Sequence, residues 1–299
     1  MKKLNLISTI SSSALFAALA LVGCAAQPGR EARAPVAAAA VASAANAMPG
    51  AGDAARLVPV QGALNVRSFA NLNGRHGPVP AGSFIRAADL SKLSGADRDA
   101  LAAAGVTLDV DLRTADEAGS SPDVLAQDAR FQYTRISLLG AEKIDLANLP
   151  DTLAEGYVQW LTSNQAEFRQ VFKSMAAQQD GTVLFHCTAG KDRTGMIAAT
   201  LLSLAGVPRG QIVHDYAISA HYLEPMMGSE AQMAASNPQL AEMMKNPKIA
   251  AMRGSPPDAI EAFLDALDRQ YGGAHNYLQT IGLSKDEIRS LQVRLGQAH

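Results

Sequence analysis

An α/β domain, built on a mainly parallel central sheet flanked by helices, is the fold class that this 299-residue chain predicts. Three observations carry that expectation. Short β-prone runs alternate with longer helical stretches, the order that lays strands side by side beneath a cover of helices. The part of the chain after an alanine-rich start, residues 57–299, is long enough for one domain with a full core, and no internal repeat divides it. Finally, the last apolar strand-like run passes through a short glycine-containing loop directly into a helix, a junction where backbone N–H groups gather.

Phe84-Ile85 opens the series as a short apolar strand, and Ser94–Ala104 follows as a helix. Thr107–Leu112 is the next strand. In Leu108-Asp109-Val110-Asp111-Leu112-Arg113 apolar and polar residues alternate, so the polar positions share one face that ends in Arg113. Two helical stretches, Leu153–Thr162 with Trp160 read as core and Ala166–Gln178, lead to the apolar run Thr182-Val183-Leu184-Phe185, a buried strand introduced by Gly181. The helix Gly195–Leu204 is stopped by Gly206 and Pro208. Residues His221–Arg253 read as a helical, lid-like insertion before the closing helices. They hold Met226, Met227, Met233, Met243, Met244 and Met252, six of the chain's ten methionines, and such adaptable side chains suit a surface that meets varied or mobile partners.

The amino terminus predicts a different kind of segment. Met1-Lys2-Lys3 is a positive n-region, Ala14–Val22 an apolar h-region, and Leu21-Val22-Gly23-Cys24 ends in a cysteine after a small residue. Residues 1–23 therefore read as a lipoprotein signal peptide with acylation of Cys24, the apolar run being short for a membrane span. Ala25 follows where an aspartate would favour inner-membrane retention. The expected address is the cell envelope, anchored by lipid to the bacterial membrane and preferably to the outer one, facing the periplasm or the cell surface. Residues 24–56, rich in Ala, Gly and Pro, cannot build a core and read as a flexible tether of some tens of ångströms.

The chemistry concentrates in His186-Cys187-Thr188-Ala189-Gly190-Lys191-Asp192-Arg193-Thr194-Gly195. A loop that turns here from strand to helix aims N–H groups and the positive end of the helix dipole at its contents, so its occupant is an anion. Thr188, Ala189, Gly190, Lys191, Asp192 and Arg193 would line that cradle. A cysteine at its start sits in a field that favours thiolate. Arg193 offers a planar charged fork for two oxygens of a phosphoryl group. Thr194 could donate its hydroxyl to the sulfur and ease a second, hydrolytic step. These parts describe covalent catalysis through a phosphocysteine. A Walker loop would need a glycine at Phe185 and a Ser or Thr at Asp192. A zinc site would need more ligands than His186 supplies, so neither metal nor cofactor is expected. Lys191 adds a second cation suited to substrates with more than one phosphate, and His186 is expected to orient the cysteine backbone.

This loop resembles the C-x5-R signature of the cysteine-dependent protein tyrosine phosphatase superfamily. Its Gly-Lys-Asp-Arg-Thr centre resembles the bacterial branch that includes secreted mycobacterial and listerial enzymes acting on phosphotyrosine and on phosphoinositides. Asn65-Val66-Arg67, Phe84–Ser91, Asp111-Leu112-Arg113 and Gly282-Leu283-Ser284 resemble the branch's other landmarks in order. The resemblance covers nearly everything from Val58 onward and implies a tyrosine phosphatase-like fold with helical lids near residues 221–253. One departure is that Ser68-Phe69-Ala70 stands where the branch has Asp followed by Gly-Gly, so a differently shaped loop is expected there.

An aryl phosphate leaves more easily with its oxygen protonated, and a general acid is expected within reach. No Trp-Pro-Asp tripeptide occurs. Asp111, at the end of its strand and favoured by the resemblance, is the first candidate, with Arg113 in support; Asp192, inside the loop, is the second. The expected partner is a phosphorylated protein or a phosphoinositide. Phosphotyrosine hydrolysis, with dual specificity open, is the leading reading; a phosphoinositide or inositol-polyphosphate phosphatase and a non-enzymatic phosphate-binding lipoprotein are the alternatives. The net charge of −2 argues against a general nucleic-acid binder.

Overall fold

A computed structural model describes residues 47–140, 150–252 and 254–297. The segment expected to be a signal peptide, residues 1–23, and the expected lipidation site, Cys24, lie outside the described residues. Five strands form one sheet in the order β1 (Arg67–Ser68), β4 (Phe84–Ala87), β7 (Thr182–His186), β5 (Val106–Asp111), β6 (Gln132–Arg135). All neighbours run parallel except β1, which pairs antiparallel with β4. A separate hairpin joins β2 (Asn73–Gly74) to β3 (Gly77–Pro78). The α/β class with a mainly parallel sheet is therefore the architecture found.

Helix α1 (Ala51–Ala54) precedes the sheet, and α2 (Gly95–Ala103) connects β4 to β5. Ser94 caps α2 and Asp97 returns the bond to the cap backbone. The same reciprocal device starts α3 (Ala115–Ser120), where Thr114 and Glu117 form the capping box. Next come α4 (Leu153–Ser163), α5 (Gln165–Ala177) and α6 (Asp192–Leu204), then α7 (Arg209–Ala217) and α8 (Ser219–Tyr222). The insertion folds as α9 (Glu224–Ser236), α10 (Pro238–Met244) and α11 (Pro247–Ala251), and the chain closes with α12 (Pro257–Tyr271), α13 (Ala274–Thr280) and α14 (Lys285–Arg294).

The core explains where the site lies. β7 is buried along its whole length between β4 and β5, and nearly every residue of α6 is buried against it. Phe168, Val171, Phe172 and Met175 bring α5 into the same cluster, and Cys187 belongs to it. Each such fully buried side chain contributes about 1.5–3 kcal/mol, so the strand-to-helix junction is among the best anchored points of the molecule. Trp160 is half-buried on the rim of this core.

Three sequence expectations need correction. Helix α6 begins at Asp192, not Gly195, so Asp192, Arg193 and Thr194 form its first turn. Strand β6 went unread because Gln132-Tyr133-Thr134-Arg135 is a partly exposed edge with no apolar run. The boundary drawn after Arg56 falls inside packed structure: Asp53 and Arg56 are buried, and Leu57 bridges Arg67 beside β1. Arg56 is held there by Asp53, three residues before it, and by Asp215, far along the chain, which composition cannot reveal.

Candidate active site

Residues 187–191 link β7 to α6, and their carbonyls are captured from outside. Thr188 O accepts from the Asp89 N–H at 3.1 Å. The Asn65 side-chain amide donates to Ala189 O at 3.2 Å and Gly190 O at 2.9 Å, and Arg86 Nη2 donates to Gly190 O at 2.8 Å. In a trans peptide the N–H points opposite to the carbonyl. Turning these carbonyls outward therefore aims the Ala189, Gly190 and Lys191 N–H groups inward, the nest an anion requires. Gly190 is at φ +64°, and a Cβ there would stand 2.3 Å from the Ala87 carbonyl oxygen, so only glycine fits.

Glu117 holds the arginine fork. Its two oxygens accept from Arg193 Nη1 at 2.6 Å and Nη2 at 2.8 Å, and Thr188 Oγ1 donates to the same carboxylate at 2.5 Å. Burial pushes the Glu117 carboxyl up, but the Arg193 charge and hydrogen bonds more than offset it and hold it at about 2. Glu117 thereby joins the candidate site, and nothing in the sequence alone points to it. Its only sequence signal was Thr114-x-x-Glu117, a capping pattern with no chemical meaning of its own. Thr194, fully buried one residue further, makes no hydrogen bond through its hydroxyl among the described residues.

Asp111 is not placed to act as an acid. Fully buried at the end of β5, it accepts from Arg113 Nε at 2.9 Å, Arg113 Nη2 at 2.8 Å, the Arg113 backbone N–H at 2.9 Å and the Tyr133 hydroxyl at 2.9 Å. Burial opposes ionisation, yet His186 and the Arg113 bonds hold Asp111 well below the usual carboxylate range. In this structure it serves as a brace for Arg113, which also ties Asp89 and the Ser121 carbonyl.

His186 lies in the same buried network. Its Nε2 is 3.0 Å from Asp123, 3.6 Å from Asp109 and 3.7 Å from Asp111. Burial alone would lower the imidazole, but these carboxylates lift it to about 10, while burial raises Asp109 well above its usual value. Donor atoms of Asp109, Asp123 and His186 lie within 4.8 Å of one another, a spacing a cation could use. In this chain the imidazolium, with Arg113 3.8 Å from Asp123, already supplies the positive charge.

Asp192, in the first turn of α6, faces the loop. Its Oδ1 accepts from the Tyr157 hydroxyl at 2.5 Å and from Lys191 Nζ at 2.5 Å. Burial and the adjacent carboxylate push Tyr157 well above the usual phenol range, so it stays the donor. Tyr157 in turn lies 2.8 Å from the Tyr216 hydroxyl. Lys191 is buried and also donates to Met252 O at 3.3 Å, so the expected second cation at the mouth is folded inward.

The insertion covers the site. Met226 and Met227 pack with Leu223 against Ala189 and Ala88, while Ile249 and Met252 join the main core. Beside Thr188 a groove of about 420 Å³ opens between the 61–64 loop and α9, lined by Leu64, Ala88, Asp89, Met226 and Met233 among others.

Fold, buried cysteine, outward-turned carbonyls and a carboxylate-held arginine together define a cysteine-dependent phosphatase. Residues 58–297 match the Tyrosine phosphatase family, and the chain belongs to that family. A tyrosine-protein phosphatase from Nostoc commune is 53% identical over 89% of this chain and 91% of its own length. The triple specificity protein phosphatase PtpB of Mycobacterium tuberculosis is 26% identical over 77% of this chain and 96% of its own. The crystal structure of P. aeruginosa TpbA aligns over 57% of this chain and 91% of its own, at 17% identity and a TM-score of 0.27.

Proposed function

We propose that the enzyme hydrolyses phosphotyrosine in two steps, with Asp192 as the acid. The Cys187 thiolate attacks phosphorus, the P–O bond to the aryl oxygen breaks, and Asp192 delivers a proton to that oxygen. Water then attacks phosphorus, Asp192 takes a proton from it, the P–S bond breaks, and the Cys187 thiolate is regenerated as inorganic phosphate departs. Arg193 and the inward N–H groups carry the charge that builds on the equatorial oxygens.

The observation that carries this reading is the three-sided capture of the loop's carbonyls with Arg193 held by Glu117. It prepares a cradle for a tetrahedral anion before any substrate arrives. Asp192 is the acid because it lies in the loop and is not closed off by a bidentate arginine as Asp111 is. The apolar groove beside Thr188 suits an aromatic side chain, and Lys191 is occupied, which favours a single phosphate over an inositol polyphosphate. The name of the mycobacterial relative keeps several phosphorylated side chains open as substrates. Lipid attachment at Cys24 and an envelope location, with the outer membrane preferred, rest on the amino-terminal sequence.

The test is hydrolysis by the full chain, wild type beside Cys187→Ser, on a phosphotyrosine peptide, a phosphoserine peptide and a short-chain phosphoinositide. Wild-type activity that is highest on phosphotyrosine and absent in the variant supports the reading. Preference for the lipid would replace it with the phosphoinositide alternative, and a folded but inactive wild type would overturn it.

A further inference from the structure

The phosphate loop is braced from a point that the family match leaves out. Asp215, buried in α7, lies at the centre of three buried arginines. Its Oδ1 accepts from Arg56 Nη1 at 2.8 Å and Arg67 Nε at 3.2 Å, and its Oδ2 from Arg86 Nη1 at 2.6 Å.

Two branches run from Asp215 to the same peptide. Through Arg86, the second guanidinium nitrogen reaches Gly190 O. Through Arg67, which donates to the Asn65 side-chain oxygen, the Asn65 amide is turned so that its nitrogen meets Ala189 O and Gly190 O. Asn65 is at φ +60°, a conformation that asparagine tolerates and most residues do not.

Both branches therefore set the direction of the Gly190 and Lys191 N–H groups. Arg67 Nη2 also donates to the Asp215 carbonyl at 2.6 Å and to Ser219 Oγ at 3.0 Å, so it is the Arg86 branch that depends most on how the Asp215 carboxylate is turned. Its Oδ1 is fixed from the far side by Arg56, which also donates to the Ser68 carbonyl at 3.0 Å. Arg56 is held in turn by Asp53 at 2.8 Å, and the other Asp53 oxygen lies 2.9 Å from His214 Nε2. This strap, residues 50–56, precedes the region matched to the family.

We propose that Arg56 is a positioning residue for the reaction: the strap Asp53–Arg56 locks Asp215, and Asp215, through Arg86 and the Arg67–Asn65 pair, sets the N–H groups that receive the phosphoryl oxygens. A buried carboxylate facing three guanidiniums has several competing orientations, and Arg56 selects the one that leaves Oδ2 to Arg86. Without it Asp215 turns toward Arg67, the hold of Arg86 on the Gly190 carbonyl loosens, and the Asn65 amide is left to carry it. The strap also joins the catalytic loop to the chain that leads to the amino terminus. The proposal rests on the phosphatase reading for its kinetic arm alone.

The test compares full-length Arg56→Ala, Arg56→Lys and Asp53→Asn with wild type, on kcat and KM for an aryl phosphate and on the affinity for orthovanadate. Loss of one oxyanion donor outright costs about 10²–10³ in kcat; a misaligned donor should cost about tenfold. Arg56→Ala is expected to lower kcat about tenfold and weaken orthovanadate binding by a similar factor, with KM within about twofold. Arg56→Lys, which keeps the charge but not the fork, should recover part of the loss, as should added guanidinium ion with Arg56→Ala. Asp53→Asn, at the outer end, should show a smaller drop of about threefold and covers the case in which Arg56→Ala fails to fold.

Unchanged kcat and vanadate affinity, with only a lower melting temperature, would overturn the proposal and leave the strap as packing. An inactive wild type would sink the phosphatase reading instead, and the vanadate comparison would still decide the role of Arg56.

Discussion

The phosphate loop and the cover above it are held by opposite means. The loop is fixed from several elements at once, by Arg86, Asn65 and the Asp89 N–H on its carbonyls and by Glu117 on its arginine. The cover rests mainly on apolar contacts, Met226 and Met227 against the loop and Ile249 and Met252 in the main core, with the Lys191 bond to Met252 O, and Met233 remains 47% exposed. Charged, directional bonds specify one geometry and resist displacement. Flexible methionine contacts can be made in many arrangements and are cheaply exchanged. The site is thus rigid where charge must be stabilised and adaptable where substrates must enter, and each half can be tested separately.

The largest effect should come from the rigid half. Asp192→Asn is expected to lower kcat by about 10²–10³ on an aryl phosphate with a poor leaving group, and by less than about tenfold when the leaving phenol is strongly acidic. Equal losses on both substrates, in steady-state assays, would remove Asp192 from the acid role. Glu117→Gln leaves Arg193 buried without its counter-charge and should destabilise the fold by about 3–5 kcal/mol, measured by denaturant unfolding. A drop under about 1 kcal/mol would mean that the fork does not depend on Glu117.

Stability against pH sharpens the comparison. Glu117 is held at about 2 against an ordinary value of 4.5, so its contribution is present above pH 4.5 and is lost as pH falls toward 2. His186 is raised from 6.5 to about 10, so its contribution is full below pH 6.5 and is lost as pH rises toward 10. Burial raises Asp109 as well, which adds to the loss on the alkaline side. Thermal melts should therefore show highest stability in mildly acid solution, with the alkaline decline blunted in Asp109→Asn. The smallest effect belongs to the cover. Met226→Ser with Met227→Ser should change kcat on a small aryl phosphate by less than about threefold while alkylation of Cys187 by iodoacetamide speeds up severalfold. An unchanged alkylation rate would show the cover to be as fixed as the loop.

The parts that the sequence made legible are the local ones. Cys187, Arg193 and Thr194 stand in one contiguous run whose spacing alone states the chemistry, and strands β4, β5 and β7 are apolar enough to declare themselves. What stayed hidden depends on long-range partners. Asp111 and Asp192 are both plausible acids in one dimension; only the folded chain shows Arg113 closing over the first. Glu117 reads in sequence as helix punctuation, and in the fold it holds Arg193. Arg56 sat in a stretch that composition marks as a tether, and its partner Asp215 lies 159 residues away.

Lys191 carries one further consequence. Its ammonium group is turned inward, onto Asp192 and a backbone carbonyl, and the molecule as a whole carries a net charge of −2. A phosphorylated substrate therefore gains no long-range attraction from Lys191 or from the overall charge; among the described residues, the exposed cation that lines the groove beside Thr188 is Lys92. Steering by that single exposed charge is weak and screened by salt, and selectivity is left to events after the anion has passed beneath the cover.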